Sequence, residues 1–302
     1  KKGIKDFDYS EPEFLISTMD RHKEWAVIIC LVGGGQEINT GEAGLPEWFD
    51  SLRRQFLDWD VYITPNLNDE EYRRSNEWKD LIMGLNVYEV EKLHLSTSVR
   101  SFRTPDLADL IKAILDVNIN KAKVLYDRCK FKYPIIITRE IAKAKAWIRT
   151  QCQGTTRYGL LASSGALRLK PEGIFVKNDI SVENWFLNEK NDVRSSYYLE
   201  DVVTEFDIQG LELDYSIVAW DADLRFENNE WNYYNFSGKC WNNVNSINKR
   251  IYLKNSYRVL LTRARQGMVI FIPKGDNDDN TRETKYYDGI YNYLKAIGID
   301  EI

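Results

Sequence analysis

The sequence predicts an α/β protein built on a mostly parallel β-sheet. Strand-like and helix-like segments alternate along the chain, which is typical of doubly wound sheets. Several of the strand-like segments are unbroken apolar runs rich in β-branched residues, as expected for strands buried on both faces. Hydrophobic residues make up 43% and charged residues 29% of the 302 residues, which are the proportions of a folded globular protein.

The amino-terminal part of the chain opens with a predicted helix. Ser10 suits the N-cap, Pro12 falls in the first turn and Glu13 follows three residues after the cap. Residues 26–32 are predicted to form a strand buried on both faces, which ends in a glycine-rich segment. Further elements follow in order: a helix at 45–57, a strand at 61–64, a polar loop at 65–77, a strand at 87–95, and helices at 105–116 and 119–130.

A second α/β pattern starts near residue 131. Its predicted strands cover 133–138, 158–163, 216–220 and 268–272, and its predicted helices cover 139–150, 246–257 and 282–297. We therefore divide the chain into residues 1–130 and 131–302.

Composition excludes several classes of protein. No apolar run approaches the ~18 residues that span a bilayer. The four cysteines are scattered and there are only two histidines, so neither a zinc ribbon nor a His-based metal centre is expected. Reduced thiols suit the cytoplasm. The net charge of −5 neither supports nor excludes nucleic-acid binding, because a protein can confine its positive charge to one groove.

Two segments of the second half carry candidate chemistry. Tyr257 to Arg265 is predicted to be a helix entering a strand, where an arginine could stabilise charge on a γ-phosphate. A solvated basic helix end is the alternative. Thr204 to Glu212 precedes the strand at 216–220, and its Gln209-Gly210 pair predicts a tight turn whose amide could orient water or phosphate. An ordinary loop is the alternative there.

Two segments of the first half are candidates as well. Gly33 to Gly44 is glycine-rich and follows a predicted strand, which is where α/β sheets bind ligands. It lacks the G-x-x-x-x-G-K-[ST] pattern of a phosphate-binding loop, and a simple three-glycine turn is the alternative. Leu93 to Arg103 places Arg100 between a predicted strand and a predicted helix.

Together the four segments resemble the later motifs of superfamily-one helicases. Gln36 looks like the glutamine of motif III, and Ser98-Val99-Arg100-Ser101 resembles motif IV. Thr204 and Gln209-Gly210-Leu211-Glu212 are similar to motif V. Leu261-Thr262-Arg263-Ala264-Arg265 is similar to motif VI, whose first arginine senses the γ-phosphate. Thr138-Arg139 lies where that family touches single-stranded nucleic acid.

A closer resemblance covers nearly the whole chain and is to the bacterial Schlafen-related helicase-like family. It rests on the stretch from Gly33 to Gly44, on Val193 to Tyr197 and on Tyr257 to Gly267. It implies two RecA-like domains, with residues 1–130 a remnant of the first plus its connection and residues 131–302 the second.

The resemblance also implies the ligands and the residues that serve them. ATP with Mg²⁺ would be the cofactor, and single-stranded DNA or RNA the partner. The implied catalytic residues are Gln36, Arg100 and Arg263. The implied nucleotide-binding residues are Gln209, Gly210, Glu212 and Arg265. The implied nucleic-acid contacts are Thr138, Arg139 and Thr204.

Departures from the helicase pattern leave two alternatives open. Phe206 stands where motif V usually has a histidine, and neither the phosphate-binding loop nor the Asp-Glu magnesium motif occurs in the chain. We therefore expect these residues alone to hydrolyse ATP poorly or not at all, with the missing motifs upstream in a longer protein. One alternative is a degenerate, non-hydrolysing module that binds nucleic acid or protein. The other is a metal-dependent nuclease that uses Asp221 and Asp223 at a strand end.

Overall fold

The computed structural model describes residues 9–31, 44–65, 78–94 and 106–302. The chain divides into two compact units, Lys1–Ser96 and Thr97–Ile302. The boundary near residue 131 that the sequence suggests stays a prediction.

The first unit is small and mixed. Its elements are α1 (Glu11–Met19), α2 (Gly44–Gln55), β1 (Asp60–Ile63), α3 (Trp78–Ile82) and β2 (Asn86–Glu89). The N-cap predicted for α1 is confirmed, because the Ser10 hydroxyl accepts a hydrogen bond from the Glu13 amide. β1 and β2 pair in parallel, and the core beside them includes Ile16, Phe49, Leu52 and Ile63.

The strand predicted at 26–32 is wrong over the described residues 26–31. The segment has no regular secondary structure and joins no sheet among the described residues. Ile28 packs against the core of the first unit, whereas Val27 is 62% exposed and Ile29 and Leu31 are each 82% exposed. A strand buried on both faces needs neighbouring strands, and an apolar run alone cannot specify them.

The second unit carries most of the regular structure. Its helices are α4 (Leu107–Leu115), α5 (Ile119–Cys129), α6 (Ile141–Gln151), α7 (Val182–Leu187), α8 (Glu205–Ile208), α9 (Ile247–Leu261) and α10 (Lys285–Ile297). Its strands are β3 (Ile135–Thr138), β4 (Tyr158–Ala162), β5 (Val202–Val203), β6 (Leu213–Ala219), β7 (Leu224–Glu227), β8 (Glu230–Ser237), β9 (Cys240–Asn243), β10 (Ala264–Phe271) and β11 (Asp300–Glu301).

Six of these strands form one parallel sheet in the order β11-β3-β10-β6-β4-β5. Its central strands are buried on both faces. Val269 and Ile217 belong to the core that includes Ala144 and Ile148 of α6, and Met268, next along β10, is also fully buried. The parallel sheet predicted from the apolar runs is therefore confirmed.

A three-stranded antiparallel sheet, β7-β8-β9, is inserted between β6 and α9. Trp231 of β8 stacks on Trp220 with ring centroids 5.7 Å apart, so the insertion packs at the end of β6. The aromatic region around Ser237-Gly238-Lys239-Cys240 predicts a hairpin, and the antiparallel pairing of β8 with β9 confirms it, whereas β7 is not predicted from the sequence. Within the described part of the chain, no helix is long and apolar enough to cross a membrane.

Candidate functional site

The parallel sheet has two edges that matter for the predicted site. We call the edge where β6 and β10 begin the amino edge, and the edge where the parallel strands end the carboxyl edge. Leu213 pairs with Ala264, and the Leu213 amide donates to the Arg263 carbonyl oxygen at 3.1 Å. Because β6 and β10 start side by side, the segments resembling motifs V and VI meet at the amino edge.

Arg263 lies between the end of α9 and the start of β10, as the sequence predicts. Its side chain is only 1% exposed. The guanidinium Nε donates to the Val259 carbonyl oxygen at 3.0 Å, one turn back in α9. Arg263 is therefore positioned by the end of this helix, and its predicted catalytic role stays a prediction.

Arg265 and Glu212 are neighbours at the amino edge. The Arg265 guanidinium forms an ion pair with Asp214 at 3.0 Å, and a longer one with Glu212 at 4.0 Å. Asp214 also accepts hydrogen bonds from the Gln266 side chain and the Arg157 amide. Since the Arg265 side chain is 46% exposed, solvent weakens these pairs and a competing anion could replace them.

Gln209 and Gly210 form the exposed turn that leads into β6. Gly210 has a φ of +88° and open space where a Cβ would lie. The backbone conformation, and not packing, therefore demands glycine at this position. The turn leaves the backbone of residues 209 and 210 accessible at the amino edge.

Thr138 and Arg139 lie at the carboxyl edge, at the end of β3. Thr138 is fully buried and its hydroxyl donates to the Ile302 carbonyl oxygen at 3.0 Å. The Arg139 guanidinium pairs with Asp288 at 2.8 Å and donates to the Pro273 carbonyl oxygen. Both side chains thus bond to other groups of the protein, and their predicted nucleic-acid contacts stay predictions.

Thr204 follows β5, also at the carboxyl edge, and caps α8. Its amide and its hydroxyl both donate to the Asp207 carboxylate, at 2.8 and 2.7 Å. The side chain of Phe206, in the first turn of α8, is 48% exposed. The segment resembling motif V therefore spans the sheet, with Thr204 at the carboxyl edge and Glu212 at the amino edge.

The structure adds a group of buried polar residues at the carboxyl edge that sequence reasoning did not connect. Asp223 accepts hydrogen bonds from the Ser163 hydroxyl at 2.7 Å and from the Tyr257 hydroxyl at 2.5 Å. Asp221 accepts hydrogen bonds from the Tyr287 hydroxyl and the Arg168 amide. The sequence signal for Ser163, Asp221 and Asp223 was their position at or directly after the end of a buried strand, whereas Tyr257 and Tyr287 lie in the helices α9 and α10.

Burial dominates the electrostatics of this group. It raises the pKa of Asp223 to about 7, with a further contribution from the charge of Asp221, although the hydroxyls of Tyr257 and Ser163 oppose the shift. Burial likewise raises the pKa of Asp221. The pKa of Asp223 therefore lies close to physiological pH.

The geometry of Asp221 and Asp223 does not favour the nuclease alternative. Each side chain is 1% exposed, and the hydrogen bonds given above already occupy its carboxylate oxygens. Among the described residues no three His, Cys, Asp or Glu side chains are grouped to hold a metal ion.

Two of the predicted catalytic residues, Gln36 and Arg100, lie outside the described residues. Their contacts to a γ-phosphate stay predictions.

The fold and this arrangement define a class of protein: an α/β domain whose two helicase-like segments meet at one edge of a parallel sheet. The family is more specific. The model for the Schlafen group 3 DNA/RNA helicase domain matches residues 1–274, and the chain belongs to that family. This confirms the Schlafen-related resemblance and gives the chain a helicase-related role with nucleic acid. No curated protein and no solved structure gives a match.

Proposed function

We propose that the chain is the carboxy-terminal motor portion of an ATP-dependent DNA/RNA helicase or translocase, built on a RecA-like sheet. One observation carries the proposal: the predicted nucleotide and nucleic-acid residues lie at opposite edges of one sheet. Thr204 follows β5 and Glu212 precedes β6, so the single segment between them reaches both edges. Such a connection suits a protein that links nucleotide chemistry to movement on a strand.

The amino edge offers groups that suit ATP. Gln209, Gly210, Glu212 and Arg265 would hold the nucleotide, and Arg263 would stabilise the charge that builds on its terminal phosphate. Arginine suits this task because its planar guanidinium forms paired hydrogen bonds with phosphate oxygens. ATP bound with Mg²⁺ would supply the free energy of hydrolysis.

The carboxyl edge would bind the single-stranded nucleic acid. Arg139 is the basic group of the predicted contact, and its partner Asp288 is 43% exposed. The Arg139 side chain is only 12% exposed and also donates to the Pro273 carbonyl oxygen, so a phosphate of the nucleic-acid backbone would have to replace Asp288 at its exposed side. Phe206 offers an exposed ring beside Thr204, and such rings stack on bases of single strands.

The test is ATP turnover by the full-length polypeptide, with and without single-stranded DNA or RNA, together with displacement of a bound strand. We expect turnover that rises when nucleic acid is added. Strand displacement would then identify a helicase, and stimulated turnover without displacement would identify a translocase. Nucleic-acid binding without any turnover would contradict the motor and support the degenerate binding module.

A further inference from the structure

A network of hydrogen bonds lies at the carboxyl edge, with its two parts joined through the backbone between the neighbouring residues Ser163 and Ser164. It begins at Glu205, which directly follows Thr204 and is only 2% exposed. The Glu205 carboxylate accepts hydrogen bonds from both the amide and the hydroxyl of Ser164, each at 2.8 Å. The segment resembling motif V is thereby fastened to the loop after β4.

The same loop is fastened on its other side to the end of β6. Ser163 is 1% exposed, its hydroxyl donates to the Asp223 carboxylate at 2.7 Å, and it accepts a hydrogen bond from the Gly165 amide. A Cβ at Gly165 would lie 2.9 Å from the Asp223 carboxylate oxygen. Only glycine therefore allows the loop to approach this carboxylate so closely.

This hydrogen-bond network ends on α9. The Tyr257 hydroxyl donates to Asp223 at 2.5 Å, and the ring packs against Trp220 with centroids 4.2 Å apart. Tyr257 lies six residues before Arg263, whose Nε is bound to Val259 of the same helix. The polar chain thus connects the segment at Thr204 with the helix that positions Arg263.

Stability alone does not account for this arrangement. Burying carboxylates is costly, and well-packed apolar side chains at such positions are often as stable or more so. A fully satisfied polar network instead fixes one arrangement of the elements that it joins. Here it joins two elements that carry predicted ligand contacts at opposite edges of the sheet.

We propose that Glu205, Ser164, Ser163, Asp223 and Tyr257 form a relay that couples nucleic-acid binding at the carboxyl edge to the position of Arg263 at the amino edge. The relay rests on the proposed function, since it needs both ligands. A bound nucleic-acid strand that moves Thr204 also moves the adjacent Glu205. The loop after β4 then transmits this movement through Asp223 to α9. These five are positioning residues, because the relay gives them no contact with either ligand.

The test measures coupling by binding and not by turnover. In the full-length polypeptide, the Kd of a non-hydrolysable ATP analogue is determined with and without a saturating single-stranded oligonucleotide. The ratio of the two Kd values is the coupling factor, and we expect it to be at least about fivefold in the wild type. Tyr257→Phe removes the hydroxyl but keeps the ring against Trp220. Ser163→Ala removes the hydrogen bond between the loop after β4 and Asp223.

In both variants we expect the coupling factor to fall to about one while each ligand binds alone within about twofold of the wild type. The double variant should lose no more coupling than either single variant, because both substitutions interrupt the same hydrogen-bond network. Tyr293→Phe is the matched control: this buried tyrosine donates to the Ile114 carbonyl oxygen at 2.7 Å, outside the relay. It should keep the wild-type coupling factor, and thermal unfolding of all variants checks that they are folded.

The outcomes separate the relay from the proposed function. Wild-type coupling that persists in Tyr257→Phe and in Ser163→Ala would overturn the relay and leave the motor standing. A wild type that binds both ligands without coupling would overturn the relay as well. A wild type that binds neither ligand would overturn the proposed function, and the relay with it.

Discussion

The two edges of the parallel sheet differ in how they hold their polar groups. At the amino edge, Gln209 and Gly210 are exposed and the ion-paired Arg265 side chain is 46% exposed. At the carboxyl edge, Glu205, Asp221 and Asp223 are only 1–2% exposed, and hydrogen bonds hold each of them. Exposed ion pairs rearrange at little cost, whereas a buried carboxylate that loses a partner is strongly destabilising. The ion pairs of the amino edge are suited to exchanging partners with a ligand, whereas the buried carboxylates of the carboxyl edge are suited to fixing the positions of the segments that they join.

The largest expected effect concerns the buried carboxylate at the carboxyl edge. The folded-state pKa of Asp223, about 7, lies above its ordinary value of 3.8. The folded protein therefore binds the proton more tightly than the unfolded chain. The stabilisation from this proton is complete below about pH 4 and is lost as the pH rises through about 7, by a few kcal/mol at most.

Asp223→Asn should weaken this dependence, because the amide carries no titrating proton and still accepts from Tyr257, while Asp221, whose pKa is also raised by burial, keeps its own contribution. Denaturant unfolding of the wild type and the variant between pH 4 and pH 8 checks it. Equal pH slopes in the two proteins would show that Asp223 does not carry this proton.

The next effect sharpens the comparison at the amino edge. Gly210→Ala forces a side chain into a left-handed backbone conformation, which should cost about 1–3 kcal/mol of unfolding free energy. Gly173 is a matched control, because its φ is +80° and it also has open space at the Cβ position. Both variants should lose similar stability in thermal unfolding, but only Gly210→Ala should weaken binding of an ATP analogue. Equal nucleotide affinities would remove Gly210 from the predicted site.

A smaller effect is expected for Arg139 at the carboxyl edge. Arg139→Ala removes the pair with Asp288 and should cost about 1–2 kcal/mol of stability. It should also weaken single-strand binding and lower the dependence of log K on log salt by about one. Arg149→Ala, at the far end of α6, removes the same charge as a control. A salt slope that changes equally in both variants would argue against a local contact at Arg139.

The smallest effect is expected for Arg265. Because the side chain is nearly half exposed, Arg265→Ala should change the unfolding free energy by less than about 1 kcal/mol. Its effect should appear instead in nucleotide affinity at low salt, and should fade as salt screens the charge. A stability loss comparable to that of Gly210→Ala would show that the amino edge is more rigid than its exposure indicates.

Much of the second unit could be predicted because its signals are local. The apolar runs identified β3, β4 and β10, and the segment resembling motif VI was correctly placed between a helix and a strand. The segment at 26–31 failed because pairing with other strands depends on distant residues. The β8–β9 hairpin was indicated by its aromatic residues and the turn at Gly238, whereas the four-residue strand β7 was missed because it carries no long apolar run.

The candidate site could be predicted as a set of segments but not as an arrangement. The motif resemblance selected Thr204, Glu212 and Arg263, yet only the register of β6 and β10 brings the last two together. The burial of Thr138 and Arg263 depends on tertiary packing. The hydrogen bonds joining Ser163, Asp223 and Tyr257 span residues far apart in sequence, so no local pattern could indicate them.

The central claim is that Arg263 at the amino edge serves nucleotide chemistry that nucleic acid stimulates. The direct measurement is single-strand-stimulated ATP turnover by the full-length polypeptide, comparing the wild type with Arg263→Ala. Arg282→Ala is the matched control, because Arg282 is also a buried arginine, 6% exposed and bonded to Glu172. We expect a loss of about 10³-fold or more for Arg263→Ala with nucleotide binding retained, and near-normal turnover for Arg282→Ala. Stimulated turnover that survives Arg263→Ala would contradict it.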